Sequence, residues 1–285
     1  MATLLTMRQT IARRMGKYQT GIITSGSTSA LFDTNNRFEG DGKLTEAWVE
    51  ILSMVSGTVN LNLVRKISGN IQASKGFAMY SVLPASVASG DTYALYEAPW
   101  KPQDYVDFIN ESLQEDYPTI SHLRTDESIT VSANTWTYAC PSGMDDIRQV
   151  WFQEDLGTVS YPYTELDGSL WEVTSELGVK TLRLRTPQLL NRKLRLVGTG
   201  RVTDLSANAD TVEFEGEDLE LIYYGVMYRM WEQLESRPPV GNTEKYAAMA
   251  SRCRKRYEYL KKTHNRRLPH GVMKTPVYDG GWDNT

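Results

Sequence analysis

The fold is decided by residues 217–263, EDLELIYYGVMYRMWEQLESRPPVGNTEKYAAMASRCRKRYEYLKKT. Apolar side chains recur at every third or fourth position on both sides of the RPPVG break, which is typical of helices with one buried face. Neither Pro238 nor Pro239 can donate a backbone hydrogen bond, so the first helix ends there, and Asn242 or Thr243 can cap the second. The sequence therefore predicts an antiparallel helical hairpin. Its two apolar stripes are Leu219, Ile222, Tyr223, Val226, Met227, Met230, Trp231 and Leu234, and Tyr246, Ala250, Cys253, Tyr257 and Leu260.

Residues 265–285 combine prolines and glycines with large apolar side chains and show no helical period. One interpretation is a frayed terminus. The other is an extended arm that gains order by lying on another subunit. The apolar content favours the arm, because disordered tails usually lack such side chains. These side chains are Leu268, Val272, Met273, Val277, Tyr278 and Trp282.

The end of the second predicted helix is strongly basic, although the chain has a net charge of −4. Cations in the last turns of a helix complement its macrodipole. The alternative is a role in holding an acidic partner or phosphates. The acidic balance of the whole chain argues against a dedicated nucleic-acid binder. The cations are Arg252, Arg254, Lys255, Arg256, Lys261, Lys262, Arg266 and Arg267, against Glu258 alone.

The remainder of the chain alternates between helical and strand patterns. Thr3 or Thr6 can cap an N-terminal helix that buries Leu4, Met7, Ile11 and Met15 and turns Arg8, Arg13 and Arg14 to solvent. Short strands separated by Gly- and Ser-rich turns follow, which predicts a small antiparallel sandwich or barrel. A central helix beginning near Pro102 buries Tyr105, Val106, Ile109 and Leu113, and a second set of alternating strands follows it.

Together these patterns predict an α+β protein with a small helical bundle and two inserted antiparallel β modules. The N-terminal helix, the central helix and the C-terminal hairpin form the bundle, and an extended C-terminal arm follows it. The predicted ranges are 1–20, 98–127 and 215–264 for the bundle, 21–97 and 128–214 for the β modules, and 265–285 for the arm.

The sequence predicts no catalytic residue, no metal site and no cofactor. None of the three histidines, His122, His264 and His270, has a second His or Cys at ligand spacing. Cys140 and Cys253 make no CxxC pair, which fits free thiols in a reducing compartment. The longest apolar runs are too short to span a membrane. What the chain has in abundance is Tyr and Trp, which are enriched at protein interfaces; Trp100 and the segment around Tyr163 lie in loop-like sequence.

Three phrases of the chain resemble head–tail connector proteins of tailed bacteriophages, also called neck or portal-adaptor proteins. The first opens TSGSTSALFDT at 24–34 and closes LPASVASGDTYAL at 83–95. The second is DFINESL at 107–113, continued by DESITV at 126–131 and TYACPSGM at 137–144. The third is the final hairpin, beginning LELIYY at 219–224. The resemblance covers most of the chain and includes no catalytic motif.

The resemblance implies a structural virion protein that forms a ring, commonly of twelve copies, under the portal. Such a ring continues the DNA channel, lets phage DNA pass non-specifically, and presents a surface to the tail or to a second neck protein. It implies a location at the head–tail junction after assembly in the bacterial cytoplasm, with no membrane partner. The arm, with Leu268, Val272, Tyr278 and Trp282 as anchors, would dock on the portal or on a neighbouring subunit.

Two other classes of function stay open. One is another tail or baseplate structural subunit, which would also be rich in strands and aromatic residues. The other is a carbohydrate-binding module or a carbohydrate-active enzyme, which would need accessible aromatic and acidic side chains converging on one groove.

Overall fold

The computed structural model describes most of the chain. The described residues are 2–35, 42, 44–71, 73–117, 119–120, 122–153, 163–176, 179–185, 191–212, 214, 216–236 and 243–267. The chain divides into two compact units, residues 1–215 (the first unit) and 216–285 (the second unit).

The first unit contains two helices, one short 3-10 turn and sixteen strands among its described residues. The helices are α1 (Leu4–Arg14) and α2 (Pro102–Glu115), and the 3-10 turn is Gly168–Leu170. The strands are β1 (Ala2–Thr3), β2 (Tyr18–Ile22), β3 (Ser25–Gly26), β4 (Ala30–Phe32), β5 (Trp48–Ser53), β6 (Val64–Ile71), β7 (Gly76–Met79), β8 (Thr92–Tyr96), β9 (His122–Asp126), β10 (Thr137–Ala139), β11 (Asp146–Gln153), β12 (Tyr163–Glu165), β13 (Trp171–Glu176), β14 (Val179–Leu184), β15 (Leu194–Gly200) and β16 (Thr211–Val212).

Seven of these strands form one antiparallel sheet in the order β2-β8-β5-β6-β7-β4-β3. Residues 64–66 of β6 pair with β5, and residues 67–71 pair with β7, with a register shift between Ile67 and Gly69. A bulge of this kind bends the strand. Side chains from β4 and β7 therefore share one core with side chains from β5 and β8, as Leu31, Phe77 and Tyr93 show.

Helices α1 and α2 pack against each other, and aromatic and polar contacts join them to this sheet. Thr3 caps α1 by accepting a hydrogen bond from the backbone N–H of Thr6 at 3.1 Å. The predicted apolar residues of α1 are buried, and so are those of α2. The ring of Tyr105 on α2 lies 5.8 Å from that of Tyr96 on β8.

One member of α1 departs from the prediction. Arg8 is buried, not solvated, and its Nη2 donates to Glu50 of β5 at 2.6 and 2.7 Å. Tyr96 and Asn208 also donate to the Glu50 carboxylate, at 3.1 and 3.3 Å. The buried charge is thus surrounded by hydrogen-bond donors, which is the condition under which a carboxylate can be buried.

The remaining large strands form two sheets that share a second core. β12-β11-β15-β9 is a four-stranded antiparallel sheet and β10-β14-β13 a three-stranded one. Val150 and Leu196 of the former pack with Leu182 and Leu184 of the latter. β9 lies within the range that the sequence assigns to the central helical segment. The last sheet consists of β1 and β16, which pair near the beginning and the end of the first unit.

The prediction of a small helical bundle carrying two β modules is wrong. The described chain is rich in antiparallel strands, which form four sheets. Helices α1 and α2 belong to the first unit together with those sheets. The physical reason is that an apolar stripe shows which face of a helix is buried, but not whether a helix or a sheet covers it.

The second unit contains the predicted hairpin, α3 (Glu217–Ser236) and α4 (Thr243–Arg267). Its predicted pairing is confirmed by contacts along both helices. The ring of Trp231 stacks on that of Tyr246 at 5.7 Å, and Tyr228 lies 5.2 Å from Tyr257.

Candidate interaction surface

Helix α4 has one face buried and one face exposed. Ala250, Cys253, Tyr257 and Leu260 are buried, as their spacing predicts. The rings of Tyr246 and Tyr257 contact α3. The other residues between Ala250 and Leu260 lie on the exposed side of the helix, and four of these seven are cations.

The structure describes the side chains of six of the eight predicted cations of the basic helix end, and it separates these six into three groups. Lys261 is half-buried and donates to Tyr257 Oη at 3.1 Å, so it belongs to the packing of the hairpin. Arg254 is exposed, and its Nε lies 3.2 Å from Oε1 of Glu258 one turn later. The other four, Arg252, Lys255, Arg256 and Lys262, are exposed.

These four cations lie along one side of α4, because residues three, four and seven apart share a helix face. Tyr259 lies among them, 58% exposed, and the Arg256 guanidinium lies over its ring at 5.2 Å. We call Arg252, Lys255, Arg256, Tyr259 and Lys262 the basic stripe. Glu258 lies at the edge of the stripe, three residues after Lys255 and four before Lys262, and its carboxylate pairs with Arg254 outside the stripe at 3.2 Å.

The basic stripe concentrates charge in a chain that is acidic overall. Nine Lys and Arg residues against two Glu give residues 243–267 a net charge of +7, whereas the whole chain carries −4. Part of this charge complements the α4 dipole at its C-terminal end. That effect is confined to the last turn, and Arg252 lies four turns before the end of the helix, so the dipole does not account for the whole stripe.

An oppositely charged stripe lies on α2 in the first unit, and the sequence reasoning missed it. Asp107, Glu111 and Glu115 are exposed and lie at i, i+4 and i+8 on one helix face. Asp107 and Glu111 form no ion pair with a described residue. No basic residue lies in the last turn of α2. The spacing of three carboxylates in the sequence was the signal that could have identified this face, which we call the acidic stripe.

The predicted arm residues Leu268, Val272, Tyr278 and Trp282 lie outside the described residues, and their docking role stays a prediction. Helix α4 continues to Arg267, beyond the predicted start of the arm at residue 265. A truncation that spares the helix must therefore end at Arg267.

The two aromatic positions predicted in loops are not free surface anchors. Trp100 is buried, and its ring packs edge-to-face on Phe108 of α2 at 5.8 Å. Tyr163 begins β12 and is half-buried, with the Arg195 guanidinium 3.9 Å from its ring centroid. Exposed aromatics instead include Tyr259 on α4, Tyr80 and Trp136.

The structure gives the two thiols and the adjacent carboxylates Asp145 and Asp146 ordinary structural positions. Burial raises the pKa of the Cys253 thiol and that of Cys140, so both stay protonated near neutral pH. Asp145 pairs with Lys180 at 3.6 Å, and Asp146 pairs with Arg148 at 3.3 Å. Among the residues that the structure describes, no cluster of His, Cys, Asp and Glu could hold a metal ion.

A groove of about 580 Å³ opens beside β9 in the first unit. Arg124, Asp126, Ser142, Met144 and Leu205 are among the residues that line it. Arg124 Nη2 donates to the backbone carbonyl of Arg201 at 2.9 Å. Among the described residues that line the groove, none is a histidine or a cysteine.

Searches of this chain against protein-family models and against curated proteins find no match. Within the described part of the chain, no helix is both long enough and apolar enough to cross a membrane.

Proposed function

We propose that this chain is a structural virion protein of a tailed bacteriophage, a ring-forming adaptor that joins the portal to the tail and continues the DNA channel. Its place would be the head–tail junction, after assembly in the host cytoplasm. The proposal starts from the resemblance of three phrases of the sequence to connector proteins. The proposal does not include the helical-bundle fold expected from that resemblance, because α1 and α2 belong to the sheet-rich first unit.

The observation that carries the proposal is the second unit. A hairpin of two long helices forms a compact body with its own aromatic contacts, and its outer face presents the basic stripe. Four exposed cations around an exposed tyrosine are suited to a protein partner, because Tyr and Arg are enriched at interfaces. The apolar tail follows the same helix directly. The end of the chain thus combines a charged face with candidate apolar anchors.

The charge balance agrees with a channel protein that does not grip DNA. Each phosphate contact made by a Lys or Arg adds to a strong, salt-dependent affinity. A subunit with a net charge of −4 lacks a large surplus of such cations. A ring of these subunits would let DNA slide through it.

The test is association of the purified chain with the purified portal of the same phage, followed by light scattering after size exclusion and by electron microscopy. We expect a portal-dependent ring. Truncation after Arg267 removes the predicted arm and leaves α4 intact, and we expect it to abolish association. Truncation after Trp282 is the matched control, because it keeps all four predicted anchors, and we expect it to bind.

The outcomes separate the parts of the proposal. If the full chain never associates with the portal, the adaptor function is wrong. If both truncations bind as the full chain does, the arm prediction fails and the adaptor function survives. Binding to a tail or baseplate protein in place of the portal would support the alternative structural role. Binding to glycans would support the carbohydrate-binding one.

A further inference from the structure

Two helices of this chain present exposed faces of opposite charge and similar length. On α4, the basic stripe extends from Arg252 to Lys262, about 15 Å along the helix axis. On α2, the acidic stripe extends from Asp107 to Glu115, about 12 Å. Both are exposed to solvent in the folded chain. The four cations of the basic stripe, and Asp107 and Glu111 of the acidic stripe, are therefore available to a partner.

Local helix stability does not explain the acidic stripe. Like charges four residues apart destabilise a helix, and both Asp107 with Glu111 and Glu111 with Glu115 have this spacing. Negative charge in the last turn also opposes the helix dipole, and Glu115 is the last residue of α2. An arrangement that is unfavourable in the isolated helix becomes favourable when a cationic surface covers it.

We propose that the basic stripe of one copy of this chain docks on the acidic stripe of a second copy. Opposite charges across an interface select the correct partner and fix its register. The two faces are unlike, so the contact is heterologous and leads from each copy to the next. Contacts of this type close into a ring when the rotation between copies permits. This contact adds a molecular detail to the proposed function. The closure of the contacts into a ring rests on that proposed function.

A second copy fits the basic stripe better than a nucleic acid does. A nucleic acid would leave the acidic stripe of α2 unexplained, and it would meet a chain whose net charge is −4. A second copy accounts for both stripes with one contact. The half-exposed Met249 and the exposed Tyr259 near the cations add apolar area, which a protein surface can cover.

The test is charge reversal followed by sedimentation velocity on the full chain, at low ionic strength and over a range of protein concentrations. The first variant combines Arg252→Glu, Lys255→Glu and Lys262→Glu. The second combines Asp107→Lys, Glu111→Lys and Glu115→Lys. The third, the charge-swap variant, carries all six changes.

We expect each single-stripe variant to associate at least about tenfold more weakly than the natural chain, because like charges then face each other. We expect the charge-swap variant to recover association, and an equimolar mixture of the two single-stripe variants to associate as well. Circular dichroism of every variant checks that it folds. Association of the natural chain should weaken as salt is added, since exposed charges are screened.

A matched control reverses three exposed cations elsewhere, with Arg148→Glu, Arg183→Glu and Arg185→Glu. It changes the net charge as much as the α4 variant does, and we expect it to associate as the natural chain does. If it loses association equally, the effect comes from net charge, and the stripe contact is wrong.

Three further results would overturn the contact. The natural chain could stay monomeric at every attainable concentration, or the charge-swap variant could fail to recover what the single-stripe variants lose. The α4 variant could also lose binding to duplex DNA while its self-association is unchanged, which would assign the stripe to nucleic acid. Portal association is measured separately. The adaptor function can therefore survive if the stripe contact is wrong, and the stripe contact can survive if the chain does not bind the portal.

Discussion

Arg8 and Glu50 form a buried ion pair between α1 and the seven-stranded sheet, in which one arginine nitrogen contacts both carboxylate oxygens. Nη2 of Arg8 lies 2.6 Å from Oε1 and 2.7 Å from Oε2 of Glu50, and the two side chains are 6% and 1% exposed. Nε of the same arginine donates to Tyr96 Oη at 3.1 Å. The pair thus fixes how α1 sits on β5 and β8.

Loss of either partner should therefore destabilise the first unit strongly. We expect Arg8→Met or Glu50→Gln to lower the free energy of unfolding by about 3–5 kcal/mol, because the remaining charged or polar group stays buried without its partner. The double variant should lose clearly less than the sum of the two. Urea unfolding followed by circular dichroism measures both effects. Additive losses would show that the two side chains do not act as a pair.

The α1 pattern shows what the sequence could and could not predict. Leu4, Met7 and Ile11 were predicted correctly as the buried face. Arg8 lies four residues after Leu4 and three before Ile11, so its spacing places it on that same face, and its charge alone led to the opposite assignment. Its partner Glu50 lies 42 positions away, between the apolar residues Val49 and Ile51 of β5. No local pattern connects the two.

The same limit explains the error in the fold class. The hairpin stripes around Trp231 and Tyr257 were predicted correctly, because both helices are neighbours in sequence and cover each other. The stripes of α1 and α2 were also correct, but their partners include sheet residues such as Tyr96. The candidate site differs in this respect. The cations of α4 were found from local composition, whereas the acidic stripe of α2 is an equally local pattern of three carboxylates that was overlooked.

A close approach in the first sheet predicts a position where even a methyl group is not tolerated. A Cβ added at Gly21 would lie 2.3 Å from Asp33 Oδ2 and 2.4 Å from Tyr93 Oη, two groups that share a buried hydrogen bond of 2.9 Å. We expect Gly21→Ala to lower the free energy of unfolding by about 1–3 kcal/mol through overpacking.

Gly69→Ala is the control for this experiment. Gly69 lies in β6 of the same sheet, and a Cβ there would meet nothing within 4 Å. We expect its unfolding midpoint in urea to stay near that of the natural chain. If both variants lose the same free energy of unfolding, the loss comes from replacing a strand glycine by alanine and not from the close contacts around Gly21.

Buried tyrosines predict a loss of stability at high pH. Burial raises the pKa of Tyr18 to about 12 from 10.0, and it also raises those of Tyr96 and Tyr105. Because the unfolded chain ionises these phenols first, their contribution to stability is complete below about pH 10. It is lost as the pH rises through the folded-state pKa, about 12 for Tyr18. Urea unfolding at a series of pH values should show this decline.

Tyr18→Phe tests the part that comes from one side chain. The Tyr18 hydroxyl has no hydrogen-bond partner among the described residues, so the variant should be about as stable as the natural chain at pH 7. Its decline between about pH 10 and pH 12 should be shallower. A decline identical to that of the natural chain would contradict the assignment to Tyr18.

The two thiols should react slowly. Burial raises the pKa of both Cys140 and Cys253, which lowers the thiolate fraction available for attack. We expect both to react with a disulfide reagent much more slowly than a free thiol at pH 8. Cys253, which is 8% exposed, should be the slower of the two. Single Cys→Ser variants assign each rate to one thiol. Fast reaction of Cys253 would show that α4 separates readily from α3.

The pairing of β1 with β16 has a consequence for the order of events during synthesis. Ala2 pairs with Val212, and the backbone N–H of Leu4 donates to the carbonyl of Asp210. A ribosome adds about 5–20 residues per second, so roughly 10–40 s separate the emergence of this first strand from that of its partner. During that interval β1 must stay unpaired, and the first unit is completed only when nearly all of its own residues have been translated.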